Sequence, residues 1–138
     1  MFEPGATYTR KAIHDLYGGG RQVGISKPAN HSFIMIFSGR AGLRHGYEDR
    51  WLDDRTFLYC GEGQFGDQTL DRGNLAIVNH LRDETTLHLF KGTSGDVQYV
   101  GEVEYLSHEL VPNIEDRDGN LRSVIVFTLR RVRCTRRC

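Results

Sequence analysis

The sequence predicts an α+β domain built on a curved antiparallel, barrel-like β-sheet with short helices on its flanks. Five apolar or alternating runs of strand length outnumber two helical patterns, and no regular βαβ alternation appears. Glycine- and asparagine-rich punctuation separates the runs, and 138 residues suit one domain with a real core.

Taken in chain order, Thr9 can cap a helix through RKAIHDLY, with Ile13, Leu16 and Tyr17 at i, i+3 and i+4 as its apolar side. The GGG at 18–20 ends it. A loop, GGGRQVGISKPAN, carries Arg21, Gln22 and Lys27 among glycines ahead of Pro28. SFIMIFSG then reads as a buried strand, and TFLYCG as a second. RGNLAIVNHLRD forms a short helix with Leu75, Val78 and Leu81 along one side. TLHLF, VQYVGEVEYL and SVIVFTLRRV supply three more strands, and DRDGN makes the turn between the last two.

Composition narrows the function class. The 38% apolar and 26% charged fractions suit a globular protein. FIMIF and VIVF are far too short to span a membrane, and the N-terminus lacks the basic-then-apolar layout of a signal peptide. Three cysteines, Cys60, Cys134 and Cys138, fit a reducing cytoplasm better than a disulfide scaffold. Cys134 and Cys138 lack the further ligands a zinc site needs, so neither metal nor cofactor is expected. The balanced net charge hides an asymmetry. Residues 1–118 hold 18 acids against 12 bases, a net of −6, whereas residues 119–138 carry +6. Fifteen of the 18 basic residues are arginine, whose fork suits phosphate oxygens, although RRVRCTRRC reads equally well as a solvated tail.

Catalytic motifs are missing. Six scattered histidines form no HExxH, the serines sit in no GxSxG elbow, and the GGG follows a helix rather than opening one. Adjacent Asp53 and Asp54 point apart in a strand or turn. The informative stretch is HGYEDRWLDDRTFLYCGEGQFGD at 45–67, with Tyr47, Trp51 and Tyr59 among six carboxylates and four glycines. An acidic surface loop is the plain alternative. A pocket for a flat polar ring explains more: aromatic faces stack on a base, carboxylates at Asp49, Glu62 and Asp67 can accept from an exocyclic amine, and the glycines at 61, 63 and 66 admit close backbone approach. That is the chemistry of holding a base flipped from its duplex.

Gly46-Tyr47-Glu48-Asp49, Tyr59-Cys60-Gly61-Glu62-Gly63 and Gly73-Asn74-Leu75-Ala76-Ile77, with YTRKAIHDLYGGGRQVGI before them and VQYVGEVEY and IVFTLRRV after, resemble an SRA (SET- and RING-associated, YDG) domain. The GEGQ-GD form is most similar to the SRA-like modules of bacterial McrA-type, modification-dependent HNH endonucleases. The resemblance implies a PUA-like/SRA-like sheet over residues 1–133, with 134–138 a basic tail. It implies double-stranded DNA containing a modified cytosine, chiefly 5-methylcytosine, as partner, the chain being either a stand-alone reader or the recognition half of a restriction system whose HNH nuclease domain lies elsewhere. Tyr47 and Tyr59 would sandwich the base, Asp49 would meet its Watson–Crick edge, and Cys60 would lie by the 5-methyl group. The phosphate-contact and wedge set comprises Arg21, Gln22, Lys27, Arg44, Arg50, Gln64 and Phe65.

Three positions depart from the family pattern. Arg50 stands where eukaryotic members place the base-reading aspartate, Cys60 replaces threonine, and the tyrosine-aspartate-glycine motif appears as Tyr99-Val100-Gly101. The long finger loop after the glycine turn is also missing, so Arg21-Gln22 or Gln64-Phe65 would fill the gap left by the base. The residues alone leave two further readings open: a small enzyme acting on a modified base or nucleoside, and a PUA-like RNA-binding module.

Overall fold

A computed structural model describes residues 2–39 and 47–132. Arg44 and the tail at 134–138 lie outside the described residues. One eight-stranded sheet dominates, in the order β2-β3-β6-β7-β8-β5-β4, with β1 pairing the start of β7. The strands are β1 Thr7–Thr9, β2 Ile25–Ser26, β3 Phe33–Ser38, β4 Arg50–Trp51, β5 Thr56–Cys60, β6 Thr86–Lys91, β7 Asp96–Glu115 and β8 Leu121–Arg131. Helix α1 spans Arg10–Tyr17 and α2 spans Arg72–Val78. All five expected strands and both helices form. The strands β1, β2 and β4, of two or three residues, are too short for any hydrophobic period to announce them. No described helix is long and apolar enough to cross a membrane.

The sheet is mixed rather than purely antiparallel, because β3 pairs β6 in parallel, Ile34 opposite Leu87 and Ile36 opposite Leu89. The cause is visible in FIMIF. Every residue of β3 is buried, and its side chains divide by parity between two cores. Ile34 and Ile36 join Leu87, Leu89, Ile125, Phe127 and Leu129 in the main core, while Phe33, Met35 and Phe37 join Phe90, Val97 and Tyr99 in a second core against α1. A strand buried on both faces reads as a continuous apolar run, the usual signature of parallel pairing.

β7 is long because it bends. Leu89 pairs Gly101 and Phe90 pairs Tyr99, leaving Val100 as the extra residue of a bulge. Gly101, at φ +149°, supplies a conformation that side-chain-bearing residues rarely adopt. The Tyr99-Val100-Gly101 motif therefore marks the point where β7 turns from β6 toward β8.

The helices differ from expectation in which side they bury. In α1 the Thr9 cap holds, its hydroxyl accepting from Ala12 N at 3.0 Å, and Ile13 is buried. Leu16, however, is 70% exposed, and the inner face is completed by Arg10. In α2 the buried pair is Asn74 and Ile77, whereas Leu75 and Leu81 face solvent. The helix stops at Val78, before Leu81 can share its face, and its first turn is pulled inward by hydrogen bonds to Asn74. Ile77→Ala should lower stability by about 2–5 kcal/mol, and Leu75→Ala should change it by less than ~0.5 kcal/mol. Urea unfolding of both variants checks this; equal losses would return Leu75 to the core.

Candidate base-binding cavity

The ends of β3 and β5, the loop at 47–49 and the glycine turn at 61–63 enclose a cavity of about 240 Å³. Tyr47, Asp49, Tyr59, Cys60 and Glu62 all line it, with Gln22 and Gln64 also on its wall. Five of the six expected pocket residues thus converge. The exception is Asp67, whose Oδ1 accepts from Ser123 N at 2.8 Å and moors the turn to β8.

Tyr59 reaches the cavity from β5 as part of the main core. It is buried, and its hydroxyl proton is shared between Gly24 O at 3.3 Å and Phe37 O at 3.4 Å. Burial drives this phenol well above its ordinary pKa, so it stays a neutral donor. Tyr47 approaches from the other side of the sheet, packed against Leu58, Val124 and Val126, with the Arg50 guanidinium 5.6 Å from its ring centre.

Asp49 is clasped by two strands. Its Oδ1 accepts from Cys60 N at 2.7 Å, and its Oδ2 from Ser38 Oγ at 2.6 Å. Burial pushes the carboxyl up to about 6, the two hydrogen bonds pull against that shift, and the Glu48 charge adds to it. Each carboxylate oxygen keeps acceptor capacity for a ligand. Beside it, burial and then the Asp49 charge push the Cys60 thiol up to about 11. A thiol held protonated is a small apolar surface rather than a nucleophile.

Glu62 has a structural task that the sequence did not disclose. Its Oε2 accepts from Gly73 N at 2.9 Å, at the start of α2, where Asp71 makes no side-chain cap. Asn74 completes the clasp, Oδ1 accepting from Glu62 N and Nδ2 donating to Glu62 O. The glycine at 61 serves this packing, since a Cβ there would sit 2.8 Å from Asn74 Oδ1. Gly63 adopts φ +128°, and its carbonyl accepts from both Gln68 Nε2 and Arg122 Nη1. Gln68 also donates to Gly61 O at 2.7 Å and accepts from Ile125 N at 2.8 Å. Gln68, Asn74, Arg122 and Arg10 are buried polar residues that sequence reasoning missed. Polar identity argues for exposure in any single-sequence reading, and no spacing rule marks the exceptions.

The expected DNA-facing residues scatter around this cavity. Arg21 and Gln22 are exposed on the loop after α1, and Lys27 is exposed just beyond β2. Gln64 accepts through Oε1 from Arg117 Nη1 at 2.7 Å, and neighbouring Phe65 is 57% exposed. Arg50 lines a separate cavity of about 270 Å³ with Trp51, Phe57, Leu89 and Lys91, which meets the first at Asp49 and Gly39. Asp49, not Arg50, is the side chain this chain turns to the first cavity. Among the described residues no group of three or more histidine, cysteine or acidic side chains could hold a metal.

The Asp49 clasp has a defined pH signature. Because its folded pKa lies above that of the unfolded chain, the native state binds the extra proton between roughly pH 4 and 6. This contribution to stability therefore declines as pH rises through that window. Asp49→Asn should remove the decline while retaining the fold. Melting temperatures of both proteins from pH 4 to 8 measure it, and parallel curves would show that Asp49 titrates normally.

The family model described as ScoMcrA-like, SRA domain matches residues 4–137. No functionally curated protein matches the chain in sequence. Among solved structures, the chain superposes on the ScoMcrA sulfur binding and SRA domains complexed with phosphorothioated DNA, with a TM-score of 0.77 at 24% identity, covering 97% of this chain and 41% of that one. The type IV phosphorothioation-dependent restriction endonuclease ScoMcrA gives 0.77 and 24%, with 99% and 29% covered. The SUVH5 SRA domain in complex with fully methylated CG DNA gives 0.71 and 22%, with 99% and 93% covered. The chain thus spans well under half of the ScoMcrA chains it matches and nearly all of the SUVH5 one. The chain belongs to the ScoMcrA-like SRA domain family.

Proposed function

We propose that this SRA domain reads a modified cytosine, chiefly 5-methylcytosine, in double-stranded DNA by taking the flipped base into the cavity of about 240 Å³. The carrying observation is the convergence of Tyr47, Asp49, Tyr59 and Cys60, drawn from a loop and a strand, on one concave site. Ring faces stack on the base, ionised Asp49 accepts from its exocyclic amine, and the neutral Cys60 thiol offers an apolar niche to a methyl group. The SUVH5 SRA domain complexed with methylated DNA supports this reading by likeness of fold.

The site recognises and performs no reaction. Asp49 is a fixed acceptor held by two protein donors, and Cys60 is a protonated thiol rather than a nucleophile. Cleavage would belong to a nuclease domain outside this chain, as in a modification-dependent restriction system, with the domain working in the cytoplasm on the nucleoid. Arg21, Lys27 and Arg50 supply phosphate contacts. Arg21-Gln22 on one loop, or Gln64-Phe65 on another, fills the gap in the duplex.

A methyl group in an apolar niche contributes on the order of 1 kcal/mol, so 5-methylcytosine should be preferred over cytosine by roughly tenfold or less through that contact. Gel shifts on one duplex carrying cytosine, 5-methylcytosine or 5-hydroxymethylcytosine test it, with a phosphorothioate duplex as a further arm. Equal affinity across all of them would sink the reading. Tyr47→Ala should remove roughly 1–3 kcal/mol of modified-base binding while leaving weak phosphate-driven binding in place. Arg21→Ala or Lys27→Ala should instead weaken every duplex alike and reduce the salt slope by about one. Undiminished binding in low salt would assign the residue tested to structure.

A further inference from the structure

Arg10 is 2% exposed and lines the base cavity, yet base reading as set out above gives it no role. Its guanidinium gathers three backbone carbonyls from two segments. Nη1 donates to Thr93 O at 2.8 Å, in the turn between β6 and β7. Nη2 donates to Gly20 O and Val23 O, both at 3.0 Å, and Nε donates to His14 Nε2 at 3.0 Å. The planar group lies against Phe37, its carbon 3.6 Å from the ring centre. Burial lowers its pKa to about 10, leaving it charged at neutral pH. Burying a cation is costly, and an apolar residue would fill the same space at less expense. What the arginine adds is orientation.

His14 extends the constraint. Arg10 Nε can only donate, so His14 Nε2 must be the acceptor. Gly18 O can only accept, so the imidazole proton sits on Nδ1, 2.8 Å from that carbonyl. Both neighbours thus demand the same neutral tautomer. Between them, His14 holds Gly18 and Arg10 holds Gly20 and Val23. Arg21 and Gln22 stand exposed on the tethered loop, and Gln22 and Val23 line the cavity.

We infer that Arg10 and His14 are positioning residues that fix the loop at 18–23 against the base cavity, presenting Arg21, Gln22 and Val23 to the duplex in a preset geometry. The inference rests on the base-flipping reading. A loop with three consecutive glycines would otherwise have to be ordered when DNA binds, at a cost of several-fold in affinity for each side chain immobilised. Protonating His14 would set an N–H against Arg10 Nε–H and break the relay. The charged groups facing the ring are Arg10 and Asp15 from α1 and Arg21 from the loop, while β3 presents only the Phe37 ring. Burial leads in lowering its pKa, so the neutral form prevails at pH 7.

The test places 2-aminopurine beside 5-methylcytosine in a duplex and reads its fluorescence, the affinity and the melting temperature for the whole chain. His14→Leu should bind methylated duplex roughly tenfold more weakly, with a smaller fluorescence rise, and adding Arg21→Ala should cost less than it does in the wild type. His14→Gln, which keeps one acceptor and one donor, should restore both readouts. As pH falls below 6.5 both proteins should lose signal through Asp49, and the wild type should lose more than His14→Gln; equal losses would count against the relay. If folded His14→Leu matches the wild type in signal and shows full additivity with Arg21→Ala, the relay is merely structural and the inference is overturned. Absence of any fluorescence rise in the wild type overturns the base-flipping reading and this inference with it.

Discussion

Everything around the cavity hangs on β3 having to bury both of its faces. One face of Phe33–Ser38 packs into the main core and the other into the core beneath α1. A strand so placed cannot lie at a solvated edge, and it takes β6 as a parallel partner on one side and β2 on the other. The connection from β3 to β6 must then travel across the sheet, and it carries the loop at 47–49, β5, the glycine turn and α2. Tyr47, Asp49, Tyr59, Cys60 and Glu62 are thus delivered to the cavity by one long crossover and closed against the end of the strand where it began.

The second constraint is polar. The cavity walls are held by side chains that ordinarily prefer water: Asp49 between Ser38 and Cys60, Gln68 between two glycine carbonyls and Ile125, Asn74 around Glu62, and Arg10 between the loop at 20–23 and the turn at Thr93. Each burial is tolerable because the polar atoms find partners, and satisfied networks of this kind fix geometry more tightly than apolar packing does. The result is a recess whose acceptor, thiol and aromatic surfaces are in position before any ligand arrives. The same logic accounts for Glu62 and Asp67, acids in the pocket-like stretch that turn out to hold a helix start and a strand.

Sequence alone determined whatever depends on neighbours a few residues away. The Thr9 cap and the glycine stop bounded α1, alternation and apolar runs marked the five longer strands, and DRDGN marked the turn at 116–120, where Asp116 accepts from Asp118 N and Asn120 N. The tyrosine and glycine spacings at 46–63 also carried the family and most of the cavity. Tertiary structure decided the rest, because it depends on which surfaces meet. FIMIF marked a strand buried on both faces but could not say which strand would pair with it, nor could LAIV say that Ile77 rather than Leu75 would face the core. Whether a carboxylate reads a base or caps a helix is set by what lies across from it, and for Asp49, Glu62 and Asp67 that neighbour comes from elsewhere in the chain: Ser38 and Cys60, Gly73, and Ser123. Local periodicity encodes burial, but only the folded chain brings a donor to a particular acceptor.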